Sequence, residues 1–193
     1  MSRIAFLDFE ASSLAKTSYP IEVAWVFPDG GSESFLIRPA PGWTDWAPEA
    51  EAVHGLARER LAREGAAHDW VALHMLTALR DVTLYASAPS WDGQWLSRLL
   101  RAAGLPRHAL RLRATAEAQR RVILDVLAAG GVAPAARDAQ AGKLLAALRV
   151  EARDDPAAEH RALSDAQREC RRWARARSRA EALLREDVGR PAG

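Results

Sequence analysis

Cysteine is almost missing from this chain. Cys170 is the single one, so no internal disulfide and no cluster of thiolate metal ligands can form. Lysine is nearly as scarce: Lys16 and Lys143 are the only two, and arginine carries almost all the positive charge. No uncharged apolar run approaches the ~20 residues that a membrane-crossing helix needs. The first ten residues already hold Asp8 and Glu10, so they lack the apolar centre of a secretory signal. Together these absences argue against a disulfide scaffold, a zinc–thiolate fold and a membrane protein. A reducing, cytoplasmic location is the expectation.

What is present is ordinary globular material. The chain has 193 residues, 49% of them hydrophobic and 27% charged, with a net charge of only +2. That length suits one domain. The expected organisation is therefore one domain over residues 1–186 and a flexible tail over 187–193. Arginine in place of lysine favours bidentate phosphate recognition, although a GC-rich genome leaves the same mark on composition.

The patterning predicts an α/β fold. Residues 3–9 read as a buried strand with acids arriving at its end. Pro20 precedes a second strand over 21–27, and Pro28-Asp29-Gly30-Gly31 signals a turn into a third over 32–37. Helical pattern occupies 49–53, 58–64 and 68–79, then a fourth strand covers 82–87. An amphipathic helix over 92–103 ends at Gly104 and Pro106. Residues 108–113 read as a fifth strand, and the remainder is helical over 115–129, 139–148 and 161–185. Strands first, then strands alternating with helices, predict a mixed five-stranded sheet, antiparallel over strands one to three and parallel thereafter, flanked by helices.

Asp8 and Glu10 are two apart, so an extended strand places both on one face, roughly 7 Å apart along the chain. Two like charges on a buried strand are costly unless a cation compensates them. Asp92 follows a strand and opens a helix, where it serves equally as an N-cap or as part of a site at a strand-to-helix crossing. His160 and Asp165 would diverge by roughly 140° on one continuous helix. They share a site only if His160 precedes the helix and Asp165 lies in its first turn. Asp154, Asp155 and Pro156 break the chain upstream, and Ser164 with Gln167 has capping-box spacing.

The order Asp8, Glu10, Asp92, Asp165, with His160 five residues before the last acid, resembles the DEDDh 3′–5′ exonucleases, a family with an RNase H-like fold. Asp8-Phe9-Glu10-Ala11-Ser12-Ser13-Leu14 is similar to its DxETTGL motif, and Val53-His54-Gly55-Leu56 to its hGI segment. Trp91-Asp92-Gly93-Gln94-Trp95-Leu96 is similar to FDxxFL, and His160-Arg161-Ala162-Leu163-Ser164-Asp165 to its third motif. The likeness runs from about residue 3 to 175 and skips 105–153. The family's T-T-G becomes Ala11-Ser12-Ser13, and Trp91 replaces the usual Phe, which bears on the substrate more than on the chemistry.

The resemblance implies a 3′–5′ exonuclease acting on single-stranded DNA or RNA ends or on short oligonucleotides. It implies two Mg²⁺ or Mn²⁺ ions, which suit an all-carboxylate ligand set. Asp8 would bridge them, Glu10 and Asp165 would complete the shell of one, and Asp92 would serve the other. His160 would be the general base, neutral when it accepts the proton of the attacking water. Ser12, Leu14 and His54 match positions where the family touches the terminal nucleotides. The alternative is a catalytically silent, nuclease-like scaffold that only binds nucleic acid. Outside the motifs, Trp43 and Trp46 either stack on bases or pin their loop. Trp25, Trp70 and Trp95 read as core. Arg168, Arg172, Arg175 and Arg179 form a stripe that either guides phosphates or faces solvent.

Overall fold

Alternation decides the first strand. In β1 (Arg3–Ala11) the odd positions Ala5, Leu7, Phe9 and Ala11 are buried in the main apolar cluster. The even positions Phe6, Asp8 and Glu10 face the other side of the sheet. The computed structural model describes residues 3–155 and 159–188. These fall into two compact units, Met1–Ala114 with Ala158–Cys170, and Thr115–Ala157 with Arg171–Gly193.

The first unit holds a six-stranded sheet. Its strands are β1, β2 (Pro20–Val26), β3 (Ser32–Arg38), β4 (Ala66–Ala67), β5 (Val82–Ala86) and β6 (Leu112–Ala114), in the order β4-β3-β2-β1-β5-β6. β1, β2 and β3 pair antiparallel, whereas β5 pairs parallel to β1 and β6 parallel to β5. This is the expected mixed sheet with one more strand. β4 is only two alanines long, too short to leave a pattern, and pairs with Ile37 and Arg38 at the end of β3. Gly65 makes that approach possible: a Cβ there would stand 2.4 Å from the Leu61 carbonyl oxygen and 2.6 Å from the Arg38 nitrogen. The expected strand over 108–113 shrinks to the three residues of β6.

Helices α1 (Pro48–His54), α2 (Arg58–Glu64), α3 (His68–Leu79) and α4 (Pro89–Ala102) belong to this unit. Leu61, Val71, Ala72, Met75, Leu79, Trp95, Leu96 and Leu99 join the odd positions of β1 in one core. Of the tryptophans expected in the core, Trp25 and Trp95 are buried but Trp70 is 48% exposed. α3 buries the face bearing Val71, Ala72 and Met75, and leaves Trp70 stacked on His74, with ring centroids 4.9 Å apart. Trp43 is buried between Tyr19 and His68, so it pins its loop. Trp46 is half-buried and donates its indole N–H to Glu51 at 2.7 Å.

The second unit is helical: α5 (Thr115–Ala129), α6 (Pro134–Glu151) and most of α7 (Ala162–Val188). Its own small core contains Ile123, Leu127, Ala141, Leu148, Ala176 and Ala180. α6 is longer than expected at both ends. It starts on Pro134, a residue suited to the first helical turn. The tail expected over 187–193 begins as the last two residues of α7; 189–193 and Pro156 lie outside the described residues. Among the described residues no helix is long and apolar enough to cross a membrane.

Candidate active site

The even face of β1 is where charge collects. Asp8 pairs across the sheet with Ala24, a small residue that leaves room beside the carboxylate, and Glu10 pairs with Glu22. A bulge follows between Glu10 and Ala11, after which Ala11 pairs with Pro20 of β2. The start of α7 covers this face. There Asp165 brings its carboxylate to Asp8 and Glu10, so that one oxygen of each lies within 4.8 Å of the others.

Asp92 arrives from the neighbouring parallel strand. β1 and β5 run the same way, and α4 follows directly from the end of β5. α4 opens on Pro89, not on Asp92, so Ala88 holds the cap position and Asp92 lies within the first turn. Its carboxyl is buried, and Oδ2 has no hydrogen-bond partner among the described residues. Asp92 lies outside the 4.8 Å group, but its charge acts on Asp8 more strongly than that of any other acid.

The crowding appears in the proton affinities. Burial, then the charges of Asp92, Glu10, Asp165 and Glu169, raise the Asp8 carboxyl from 3.8 to about 10. Burial and the charges of Asp165 and Glu22 raise Glu10 from 4.5 to about 8, against the opposing pull of Arg161. Burial raises Asp92 to about 7, with backbone hydrogen bonds at Phe9, Ala88 and Asp92 itself working the other way. Two guanidiniums answer this charge in part: Arg161 on Glu22, and Arg168 at 3.2 Å from Asp165.

Glu22 and Arg161 organise the start of α7. Arg161 donates from Nε and Nη2 to the two Glu22 oxygens at 3.1 and 2.6 Å, and the Ala162 backbone N–H adds a third bond at 3.0 Å. A buried carboxylate thus satisfies an end donor of the helix and sits favourably at the positive end of its dipole. The capping box expected from Ser164 and Gln167 does not form. α7 has already begun at Ala162, and the Ser164 hydroxyl donates to Glu159.

His160 lies two residues before the helix and Asp165 in its first turn, which satisfies the 140° argument. His160 has φ +50, a left-handed conformation that costs a non-glycine residue about 1–3 kcal/mol. It is the one such residue outside glycine among those described, and it adjoins the Arg161–Glu22 clamp that holds the turn. Its side chain is exposed and stands outside the three-carboxylate group.

The residues expected against the substrate fare differently. Leu14 is 72% exposed at the tip of the β1–β2 loop. Ser12 is wholly buried: its hydroxyl donates to Asp45 and accepts from the Tyr19 N–H, so it does not reach outward. His54 is buried as well. Its Nδ1 accepts from the Leu56 N–H at 3.0 Å, which leaves the proton on Nε2, and Nε2 has no partner among the described residues. Burial lowers its proton affinity, against the pull of Glu51 and Glu22.

Two residues beside the acids, Glu169 and Glu22, are not singled out by the sequence. Glu169 is buried, one turn after Asp165, and its charge reaches Asp8 and Asp92; the i, i+4 spacing on α7 was the available signal. Glu22 was hidden inside an apolar strand. Trp91, beside Asp92, remains 38% exposed while stacking on the buried Trp95 at 5.7 Å. The arginine stripe is taken up in ion pairs: Arg168 with Asp165, Arg172 and Arg175 with Asp155, and Arg179 with Glu151, with Arg175 and Arg179 still exposed.

The mixed sheet, with antiparallel β1, β2 and β3 followed by parallel β5 and β6, is RNase H-like in fold. Solved structures of exonuclease I are similar to it in fold. The E. coli enzyme in complex with a dT13 oligonucleotide is 14% identical with a TM-score of 0.53, the match covering 63% of this chain and 29% of that one. The enzyme from Methylocaldum szegediense is 12% identical with a TM-score of 0.54, over 62% of this chain and 29% of that one. The chain thus spans under a third of the length of these neighbours, and at such identity the likeness is one of fold. No family model matches the chain, and neither does any curated protein.

Proposed function

We propose that this chain is a metal-dependent nuclease that hydrolyses phosphodiester bonds at the 3′ end of single-stranded DNA or RNA. One observation carries this reading: Asp8, Glu10 and Asp165 converge within 4.8 Å on a face too crowded for all of them to ionise. A stable fold does not need such an arrangement, and divalent cations relieve it. The orphaned Asp92 Oδ2 fits the same purpose. Asp8, Glu10 and Asp165 would hold one Mg²⁺ or Mn²⁺, and Asp92 with Asp8 a second. Such a pair, when bound, acidifies the attacking water and stabilises the leaving 3′ oxygen.

The chain's own groups supply the rest. His160 accepts the proton as the water oxygen bonds to phosphorus and the P–O3′ bond breaks. Leu14 and Trp91, both exposed, offer apolar surface to the terminal bases, and stacking on an aromatic is worth about 1–3 kcal/mol per base. The oligonucleotide bound to E. coli exonuclease I is consistent with a single-stranded substrate.

The test is incubation of 5′-labelled and 3′-labelled single-stranded DNA and RNA with the protein and Mg²⁺, Mn²⁺ or EDTA. A ladder shortening from the 3′ end, abolished by EDTA, is expected. Binding without products under either cation would favour a silent scaffold. His160→Ala is expected to lower turnover about 10²–10⁴-fold while leaving cation-induced thermal stabilisation intact. A variant with full turnover would remove His160 from the mechanism.

A further inference from the structure

The β1–β2 loop is held open by one carboxylate. Ser12 and Ser13 donate their hydroxyls to Asp45 Oδ2 at 3.0 and 2.5 Å, and Thr17 donates to Oδ1 at 3.0 Å. The Ala47 N–H donates to the Ser12 carbonyl, joining the same two loops through the backbone. At its far end the loop is fastened to α4, the helix that carries Asp92. The Trp95 indole N–H donates to the Ser18 hydroxyl at 2.9 Å, and Arg98 donates to the Ser18 carbonyl at 2.9 Å.

Ser12, Ser13 and Ser18 are buried by these bonds, while Leu14, Ala15, Lys16 and Thr17 between them are exposed. Holding Leu14 outward forgoes the roughly 1.5–3 kcal/mol that full burial of such a side chain yields. The bonds from Ser12, Ser13 and Thr17 to Asp45 pin the loop on either side of Leu14. The outward tip also carries Lys16, one of the two lysines in the chain. An apolar contact and an ammonium two residues apart suit a nucleotide, with its base on one and its phosphate on the other.

We infer that Asp45 is a positioning residue for substrate: by tying Ser12, Ser13 and Thr17 to the loop between β3 and α1 it holds Leu14 and Lys16 out toward the nucleic-acid end, and so sets substrate affinity rather than the chemical step. This rests on the nuclease reading above. Burial alone would push the Asp45 carboxyl up, but the hydroxyls of Ser13, Ser12 and Thr17 and the charge of Arg98 together hold it below its ordinary value. It therefore stays ionised, and a hydrogen bond to a charged acceptor is stronger than one between neutral groups.

Two substrates separate the roles: a single-stranded oligonucleotide, and the p-nitrophenyl ester of thymidine 5′-phosphate, too small to need the loop. Asp45→Ala is expected to raise KM for the oligonucleotide about tenfold or more, with kcat within about threefold and hydrolysis of the ester unchanged. Asp45→Asn, which keeps an acceptor oxygen, is expected to recover part of that loss. Thr17→Val, on the exposed side of the loop, removes one donor without touching the core. It is expected to raise KM about two- to fourfold, which keeps the test decisive if Asp45→Ala does not fold. An unchanged KM in Asp45→Ala and Thr17→Val would overturn the inference, as would a parallel fall of kcat on both substrates. A wild-type protein that cleaves neither substrate would instead sink the nuclease reading, and this inference with it.

Discussion

Asp8→Asn is expected to abolish hydrolysis and, at the same time, to make the cation-free protein more stable at pH 8. Both outcomes come from the same crowding. Asp8 lies on a covered face with Glu10 and Asp165 within 4.8 Å, and the charges of Asp92 and Glu169 add to theirs. Asparagine keeps the shape and removes the charge, so the folded state no longer has to hold a proton that the unfolded chain releases. The gain should therefore grow with pH above about 4, the range in which an unfolded aspartate is ionised. Losing the residue that would touch both cations removes several kcal/mol of transition-state stabilisation. At 1.36 kcal/mol per tenfold, that amounts to at least about a thousandfold in turnover. Urea denaturation in EDTA gives the first number and a single-turnover assay the second. A variant less stable than wild type would mean that Asp8 has a structural partner in place of a functional one.

Stability rising as activity disappears is the mark of a site maintained against the interests of the fold. It also explains which parts of the molecule were legible in the sequence. β1, β2 and β3 were readable because their patterns face a single core and a Pro-Asp-Gly-Gly turn separates the last two. Asp8 and Glu10 stand out because two acids end a buried strand, whereas Asp92 and Asp165 are singled out only by the order of motifs that the chain shares with a known family. The clamps were not legible. Glu22 occurs in a strand buried along its whole length, where a lone acid looks like an interruption, and its partner Arg161 is 139 positions away. Asp45 sits in a loop with no periodicity, and its three donors look like ordinary turn residues. The motif position of Ser12 points to the substrate, whereas its hydroxyl is bonded to Asp45, thirty-three residues away. The capping box failed for the same reason: local spacing offered a cap, and a distant carboxylate supplied a better one. In each case the deciding partner lies far along the chain, beyond the reach of any local pattern.

Adding a divalent cation is expected to reverse the pH dependence of stability. For Asp8, Glu10 and Asp92 the folded-state values of about 10, 8 and 7 exceed the ordinary values of 3.8, 4.5 and 3.8. Above about pH 4 the folded protein thus retains protons that the unfolded chain has released. Their contribution to stability is complete below that pH. It is lost as pH rises, with Asp92 levelling off near 7, Glu10 near 8 and Asp8 near 10. In EDTA the melting temperature should therefore fall from about pH 5 to pH 9. A cation takes the place of the protons, and it binds more tightly as they leave. With millimolar Mn²⁺ the curve should flatten or rise, so that the gap between the two is small at pH 5 and widest near pH 9. Calorimetric titration at pH 7 in buffers of different ionisation enthalpy should register protons released as Mn²⁺ binds, and Asp8→Asn should release fewer. None of this requires a substrate, so it tests the carboxylate site apart from any assay of cleavage. Equal melting temperatures with and without cation at pH 8, or an EDTA curve that climbs with pH, would mean that Arg161 and Arg168 already neutralise the acids. The convergence of Asp8, Glu10 and Asp165 would then be an ion-pair network serving the fold, with no cation to hold.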